Sequence, residues 1–168
     1  MLLKRYIINL TLSVLAACSV FAFPKGATLP MPELVRTARF SLVQTKLSDD
    51  IKVVVFYYSA SWCAACKKTN ATLRQVYPDI MKKTKGLEFI TYTIDQSPSM
   101  RADYLRNTQF DWPALSPEVI DKKPWLKTIL GGTPQFQAFV IKDSSLVAIS
   151  EPGNSKEVLM IAFKNAAL

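Results

Sequence analysis

The sequence predicts an α/β chain with a central mixed β-sheet and helices on both of its faces. Three observations predict it. Ile51 to Tyr58 is an unbroken apolar run, β-branched and then aromatic, which suits a strand covered on both sides. From Glu33 onward, helix-type and strand-type stretches alternate, the pattern of a layered sheet. Near the C-terminus, Phe136 to Ile141 and Leu146 to Ser150 are joined over Lys142 to Ser145, which fits a hairpin and adds an antiparallel pair.

Taken in order, Phe23 to Pro32 reads as a linker, with Pro24, Gly26, Pro30 and Pro32. Glu33 to Leu47 reads as a helix, since Leu34, Ala38 and Leu42 recur every four residues. Ser48-Asp49-Asp50 is a turn before the central strand. Ala64 to about Tyr77 reads as a helix with an apolar stripe at Ala71 and Leu73 to Val76, broken or kinked at Pro78. A further turn follows to Lys85, and Gly86 stops it. Leu87 to Ile94 reads as a strand. Ser97-Pro98 opens a short helix through Arg106. Asp111-Trp112-Pro113 is a turn, Ser116-Pro117-Glu118 starts another helix, and Pro124 restarts it before Leu126 to Leu130. Gly131-Gly132 ends that element. After the hairpin, Asn154 with Glu157 three residues on forms a capping-box-like start to a last helix, which carries apolar Val158, Ile161 and Ala162.

Composition narrows the function classes. At 168 residues the chain fits one domain with a sizeable core, and its 49% apolar content is ordinary for a globular protein. The net charge is +8, with lysines at 67, 68, 82, 83, 85, 122, 123 and 127. No aromatic residues are interleaved with them in the manner of single-strand binders, so they read as a solvated face and no nucleic-acid partner is expected. Histidine is absent, which excludes His-based triads, His general bases and His metal ligands.

The N-terminus reads as a targeting segment. Lys4 and Arg5 precede an apolar stretch from Tyr6 to Ala17, followed by small residues at Ala16, Ala17, Ser19 and Ala22. Three outcomes fit. Val20-Phe21-Ala22 suits cleavage before Phe23. Leu15-Ala16-Ala17-Cys18 resembles a bacterial lipobox, in which Cys18 would be lipidated and would tether the domain to a membrane. The third is an uncleaved anchor, at the short end for a span. All three export the folded part, to the periplasm or another extracytoplasmic space. The domain plan is thus residues 1–22 as signal or lipoprotein anchor, 23–32 as linker and 33–168 as one domain.

Trp62-Cys63-Ala64-Ala65-Cys66 lies where the central strand gives way to a helix. A helix N-terminus offers unpaired N–H groups and partial positive charge, which favour thiolate over thiol. With Cys18 in the targeting segment, Cys63 and Cys66 are the only cysteines of the domain. A structural zinc site needs four Cys or His ligands, so no metal and no other cofactor is expected. A purely structural bridge between them would close a four-residue loop, worth only about 2 kcal/mol. A redox-active pair is the reading that remains.

The element order and this motif together resemble the thioredoxin fold. Phe56-Tyr57-Tyr58-Ser59-Ala60-Ser61-Trp62-Cys63 is similar to the active-site strand of the tryparedoxin and nucleoredoxin branch and of exported bacterial thioredoxin-like proteins. Ile94-Asp95-Gln96 is similar to the end of the family's third strand, and Gly132-Thr133-Pro134 falls where the family has its cis-proline. The resemblance spans Glu33 to Ala167. It implies that Cys63 is the exposed nucleophile and that Cys66 resolves the mixed disulfide. It implies that Thr133, held beside Pro134, pairs backbone to backbone with an extended substrate strand, and that Trp62 offers that substrate a flat apolar contact.

Departures from the family sharpen the expectation. The buried Asp that thioredoxins carry in the central strand is Tyr57 here, and their third-strand Lys is Thr91, so the proton-handling group has no counterpart. The usual Gly-Pro or Pro-Pro spacer is Ala64-Ala65. Strong oxidants of this fold often place a His there, whereas two alanines supply only backbone N–H groups. The expected pair is therefore mid-range to reducing, away from the oxidant end near about −120 mV. The stretch from Asp95 to Gly132 is longer than the matching thioredoxin connection, and its Trp112 and Trp125 divide evenly between a partner surface and extra core.

Three functions follow as expectations. The first is a thiol–disulfide oxidoreductase that reduces or interchanges disulfides in exported proteins, re-reduced by a membrane electron-transfer thiol carrier. The second runs the same chemistry as a disulfide-forming oxidant. The third is a non-catalytic binding or chaperone module on a thioredoxin fold.

Overall fold

The computed structural model describes residues 25–123 and 133–167. The signal or anchor segment with Cys18, and the stretch with Trp125 and Gly131-Gly132, lie outside them. In chain order the elements are β1 (Thr28–Pro30), β2 (Leu34–Ala38), β3 (Ser41–Thr45), β4 (Val53–Ser59), α1 (Ala64–Lys83), β5 (Leu87–Thr93), α2 (Pro98–Thr108), β6 (Ala114–Leu115), α3 (Val119–Lys122), β7 (Gln135–Lys142), β8 (Ser145–Ala148) and α4 (Ser155–Ala166).

Among the described residues, eight strands form one mixed sheet in the order β1-β8-β7-β4-β5-β6-β2-β3. The pairs β4–β5 and β5–β6 are parallel, and the remaining pairs are antiparallel. Every residue of β4 and β5 is buried, which is why both read as runs of apolar and β-branched residues without alternation. On one face Val53, Val55 and Tyr57 pack with Leu73 of α1, Tyr104 and Leu105 of α2, and Val158 and Ala162 of α4. On the other face Val54, Phe56 and Tyr58 pack with Val119 and Ile120 of α3, Leu29 of β1 and Leu146 of β8.

Helix ends follow the sequence signals. Ser97 caps α2, its hydroxyl accepting from the Met100 backbone N–H, with Pro98 in the first turn. Asn154 caps α4 by accepting from the Glu157 N–H at 3.2 Å. Gly86, at φ +76°, supplies the left-handed turn that leads from α1 into β5.

Four expectations need correction. Glu33 to Leu47 is not a helix but the β2–β3 hairpin, paired Leu34 to Thr45 through Ala38 to Ser41. Val35, Thr37, Val43 and Thr45 are β-branched, and β2 finds a partner in β6, so sheet pairing outweighs the four-residue recurrence. Within the stretch read as a linker, Thr28–Pro30 is an edge strand paired with β8. Pro78 does not end α1, which runs unbroken to Lys83. The missing Pro78 N–H leaves the Arg74 carbonyl without its helical donor, a loss the packing of Tyr77, Ile80 and Met81 on the core offsets. The buried stripe of α1 is Cys66, Asn70 and Leu73, and Val76 is exposed.

Candidate active site

The site grows from the C-terminal end of β4. Beyond Ser59 the chain makes a tight turn in which the Cys63 N–H donates to the Ala60 carbonyl at 3.2 Å. This delivers Cys63 to the N-cap of α1, where its extended backbone leaves the first helical N–H groups facing its side chain. The Cys66 backbone N–H donates to Cys63 Sγ at 3.0 Å. Cys63 and Cys66 are joined as a disulfide, with their Cα atoms 5.2 Å apart. When the pair is reduced, the same N–H and the helix N-terminus favour the Cys63 thiolate. Cys66, one turn deeper, is fully buried, and Cys63 is 6% exposed.

Trp62 stands out from this turn with 62% of its surface exposed. Few large apolar side chains are left so open, and this one adjoins the cysteine pair, as a contact surface for another molecule requires. The Thr133–Pro134 peptide is cis. Gln135 of β7 pairs with Tyr58 and Phe136 with Tyr57, so Thr133 and Pro134 lie just past the C-terminal end of β4, at the sheet end that carries the cysteines. Trp62, Cys63, Cys66, Thr133 and Pro134 thus gather at one end of the sheet. The N-terminal residue Cys18 lies outside the described residues. A hollow of about 590 Å³ beside Leu47, Ile51 and Ile141 opens at the opposite end of β4, away from the cysteines.

Beneath the turn lies a polar layer that sequence reasoning missed. Asp95, 2% exposed, accepts from the Ser61 backbone N–H and from the Ser61 hydroxyl, and so fixes the residue before Trp62. Tyr57 donates to Asn70 Oδ1 at 2.7 Å and lies 3.4 Å from the Cys66 carbonyl oxygen. Asn70 Nδ2 donates to the Tyr104 hydroxyl at 2.9 Å, and Tyr104 shares a hydrogen bond with Ser59. Burial pushes the Tyr57 phenol well up and the Tyr104 phenol up, so both stay neutral through the neutral pH range. Asn70 had a sequence signal: it sits four residues after Cys66 and so shares its helix face. Tyr104 had none, because only the packing of α2 brings it here.

Two other sequence questions are answered by position. Trp112 is core: it is 1% exposed, packs on Tyr77, Phe89 and Phe110, and donates through Nε1 to the Thr91 hydroxyl at 2.8 Å. Arg101 is also buried and ties α2 to its surroundings through the Asp95 and Pro117 carbonyls and the Asp121 carboxylate.

A thioredoxin-like family model matches residues 50–131. Among solved structures, the thioredoxin domain of a thiol-disulfide oxidoreductase from Bacteroides vulgatus is similar at 16% identity and TM-score 0.56, covering 84% of this chain and 96% of that one. A thioredoxin from Wuchereria bancrofti is similar at 22% identity and TM-score 0.55, covering 77% and 87%. Tryparedoxin II from C. fasciculata is similar at 21% identity and TM-score 0.51, covering 67% and 79%. At such identities the likeness is one of fold. No curated protein matches the chain in sequence.

Proposed function

Because this chain belongs to the thioredoxin superfamily, we propose that it is an exported thiol–disulfide oxidoreductase that reduces or interchanges disulfides in extracytoplasmic proteins. One observation carries this reading. The domain's only two cysteines are bonded to each other at a helix N-cap, with a backbone N–H aimed at the outer sulfur. A bridge across four residues adds little stability, so its position points to exchange rather than stapling.

The reaction runs in two steps. The Cys63 thiolate attacks a substrate disulfide, forming a mixed disulfide and releasing one substrate thiolate. Cys66 then loses its proton and attacks the Cys63 sulfur, closing the Cys63–Cys66 disulfide and releasing the second substrate thiolate. Two electrons pass from the dithiol to the substrate, and both released thiolates take up protons. An external dithiol must restore the pair; in an oxidising compartment that donor is a membrane thiol carrier. Thr133 and Pro134 would align an extended substrate segment, and Trp62 would cover its apolar side chain. Ala64-Ala65 adds no charge or side-chain donor to the thiolate, which supports a mid-range to reducing potential. The charged and apolar layout of residues 1–22 supports export, with Cys18 lipidation as one form of tether.

Reduction of insulin by the purified protein tests the activity. Cys63→Ser should abolish turnover with folding intact, since serine also caps helices. Cys66→Ser should freeze mixed disulfides with exported substrate proteins. A protein that neither reduces insulin nor traps a covalent partner would instead be a binding module, and a potential near about −120 mV would make it an oxidant.

A further inference from the structure

The amino end of a helix carries partial positive charge and favours acidic residues. The first turn of α1 holds none, and the first charged residues of the helix are Lys67 and Lys68. No Asp or Glu occurs between Asp50 and Asp79, so the turn that presents Cys63 and most of the helix behind it carry cations only. Both lysines are exposed, and neither forms a salt bridge among the described residues. Lys82 and Lys83, by contrast, stand in the last turn of α1, where the dipole favours them. A helix start that forgoes the acids it favours, with no local compensation, is the kind of broken rule that marks a functional surface.

These lysines border the reactive turn. Lys67 directly follows Cys66 in the chain. With Ser61, which precedes Trp62, it lines a cleft of about 380 Å³ between α1 and α2, together with Asn70, Met100, Asp103 and Tyr104. The carboxylates beside this cleft are already engaged, Asp95 by Ser61 and Asp103 by Arg106. Trp62 and Met100 add exposed apolar surface. The surface next to Cys63 thus joins an apolar platform to two solvent-facing cations, and its complement is an acidic, partly apolar chain.

Resting on the exchange reading above, we propose that Lys67 and Lys68 form a docking patch for polypeptide substrates whose disulfide is flanked by acidic side chains. The substrate segment lies across Trp62 with its carboxylates toward the start of α1. The patch acts before the chemistry: it raises the rate at which acidic substrates meet Cys63. Exposed charges act chiefly on encounter, so the preference is steep at low salt and fades as salt rises. Basic substrates are held off by the same two charges. That selects among exported disulfides by charge, a property to which Trp62 and the cis-proline are blind.

Mixed-disulfide formation by the reduced Cys66→Ser protein tests this. The probes are three peptides of one length, each with a single cysteine capped as a disulfide by a chromogenic thiol and flanked by glutamates, glutamines or lysines. Attack by Cys63 on the peptide sulfur releases the cap, whose absorbance reads the rate. Each rate is divided by that of the same peptide with free mercaptoethanol, which removes differences in intrinsic reactivity. At low salt the acidic peptide should react about 10-fold faster than the basic one, and the two should converge near about 1 M salt, where the screening length is about 3 Å. Lys67→Glu with Lys68→Glu should reverse the order. Should that variant fold poorly, Lys67→Gln with Lys68→Gln should bring the two rates together. Lys82→Glu with Lys83→Glu changes the net charge equally but lies about 22 Å along the helix. At about 0.1 M salt, where screening acts within about 10 Å, it should keep the preference. Equal rates for the acidic and basic peptides would overturn the proposal. So would an equal loss of preference in the Lys82–Lys83 variant, which would trace it to overall charge. Failure to react with the glutamine peptide would overturn the exchange reading itself, whereas equal rates leave that reading standing.

Discussion

Asp95 and Ser61 are joined three times over: each Asp95 carboxylate oxygen lies 3.2 Å from the Ser61 backbone nitrogen, and one accepts from the Ser61 hydroxyl at 2.6 Å. Asp95 follows β5 and Ser61 follows β4, so the contact locks together the C-terminal ends of the two central parallel strands. Those ends carry the cysteine turn. Arg101 holds the Asp95 carbonyl from the other side, and its own charge is met by Asp121. The helix N-cap at Cys63 is therefore seated on a braced loop.

Removing that brace should cost both stability and rate. Asp95→Ala leaves the Ser61 N–H without its acceptor, and an unsatisfied donor costs about 1–3 kcal/mol. Urea denaturation should show a lower midpoint by that amount, and mixed-disulfide formation in a Cys66→Ser background should slow because Cys63 is less well held. Unchanged stability in Asp95→Ala would mean that Ser61 finds water as readily as it finds the carboxylate.

The β2–β3 turn offers a gain rather than a loss. Arg39 and Phe40, its two central residues, have φ of +45° and +68°, and Phe40 is 69% exposed. Side chains with a Cβ resist that region, and a tight hairpin prefers Asn-Gly there. The double substitution Arg39→Asn with Phe40→Gly should raise stability by about 0.5–1 kcal/mol, read as a higher thermal midpoint. A drop would show that Phe40 packs on something despite its exposure.

That same turn explains where the sequence was legible. The β4–α1 unit, β5, the β7–β8 hairpin and the capped starts of α2 and α4 follow from local signals: an unbroken apolar run, Ser97-Pro98, and Asn154 with Glu157. The β2–β3 hairpin carries no Asn-Gly or Asp-Gly, and Leu34, Ala38 and Leu42 happen to recur at helical spacing. Its register depends on β6, a two-residue strand that no local pattern could announce. At the site, Cys63 and Cys66 were legible because their chemistry depends on spacing along the chain. Asp95 and Tyr104 were not, because each acts through a partner 34 residues away that only the tertiary fold supplies; Asn70 shares the Cys66 helix face in sequence, but its partners Tyr57 and Tyr104 come from the fold.

Trp112 separates core from recognition. Its indole N–H meets the Thr91 hydroxyl inside the sheet, beside Phe110 and Tyr77. Trp112→Phe should lower stability by about 1–3 kcal/mol through lost packing and the broken bond. Insulin reduction by the folded fraction should be unchanged. A stable Trp112→Phe protein with lost partner trapping would instead assign this residue to recognition.

The tyrosines predict how the fold fails in alkali. The five in the described residues all have phenols pushed above the ordinary value of 10.0, with burial as the first cause in each. Glu88 adds to the shift of Tyr77, while Asn70 and Ser59 oppose that of Tyr104. A raised folded value means that the native state binds more protons than the unfolded chain once pH passes 10.0, so stability falls with rising pH in that window. Below it both states hold the protons, and the contribution is fully present and constant. Tyrosinate absorbance should therefore appear together with the loss of far-ultraviolet circular dichroism, as one cooperative transition above 10.0. Tyrosinate forming while the dichroism is still native would show that these phenols reach solvent without unfolding. Tyr104 is the one to watch, since it opens on the α1–α2 cleft.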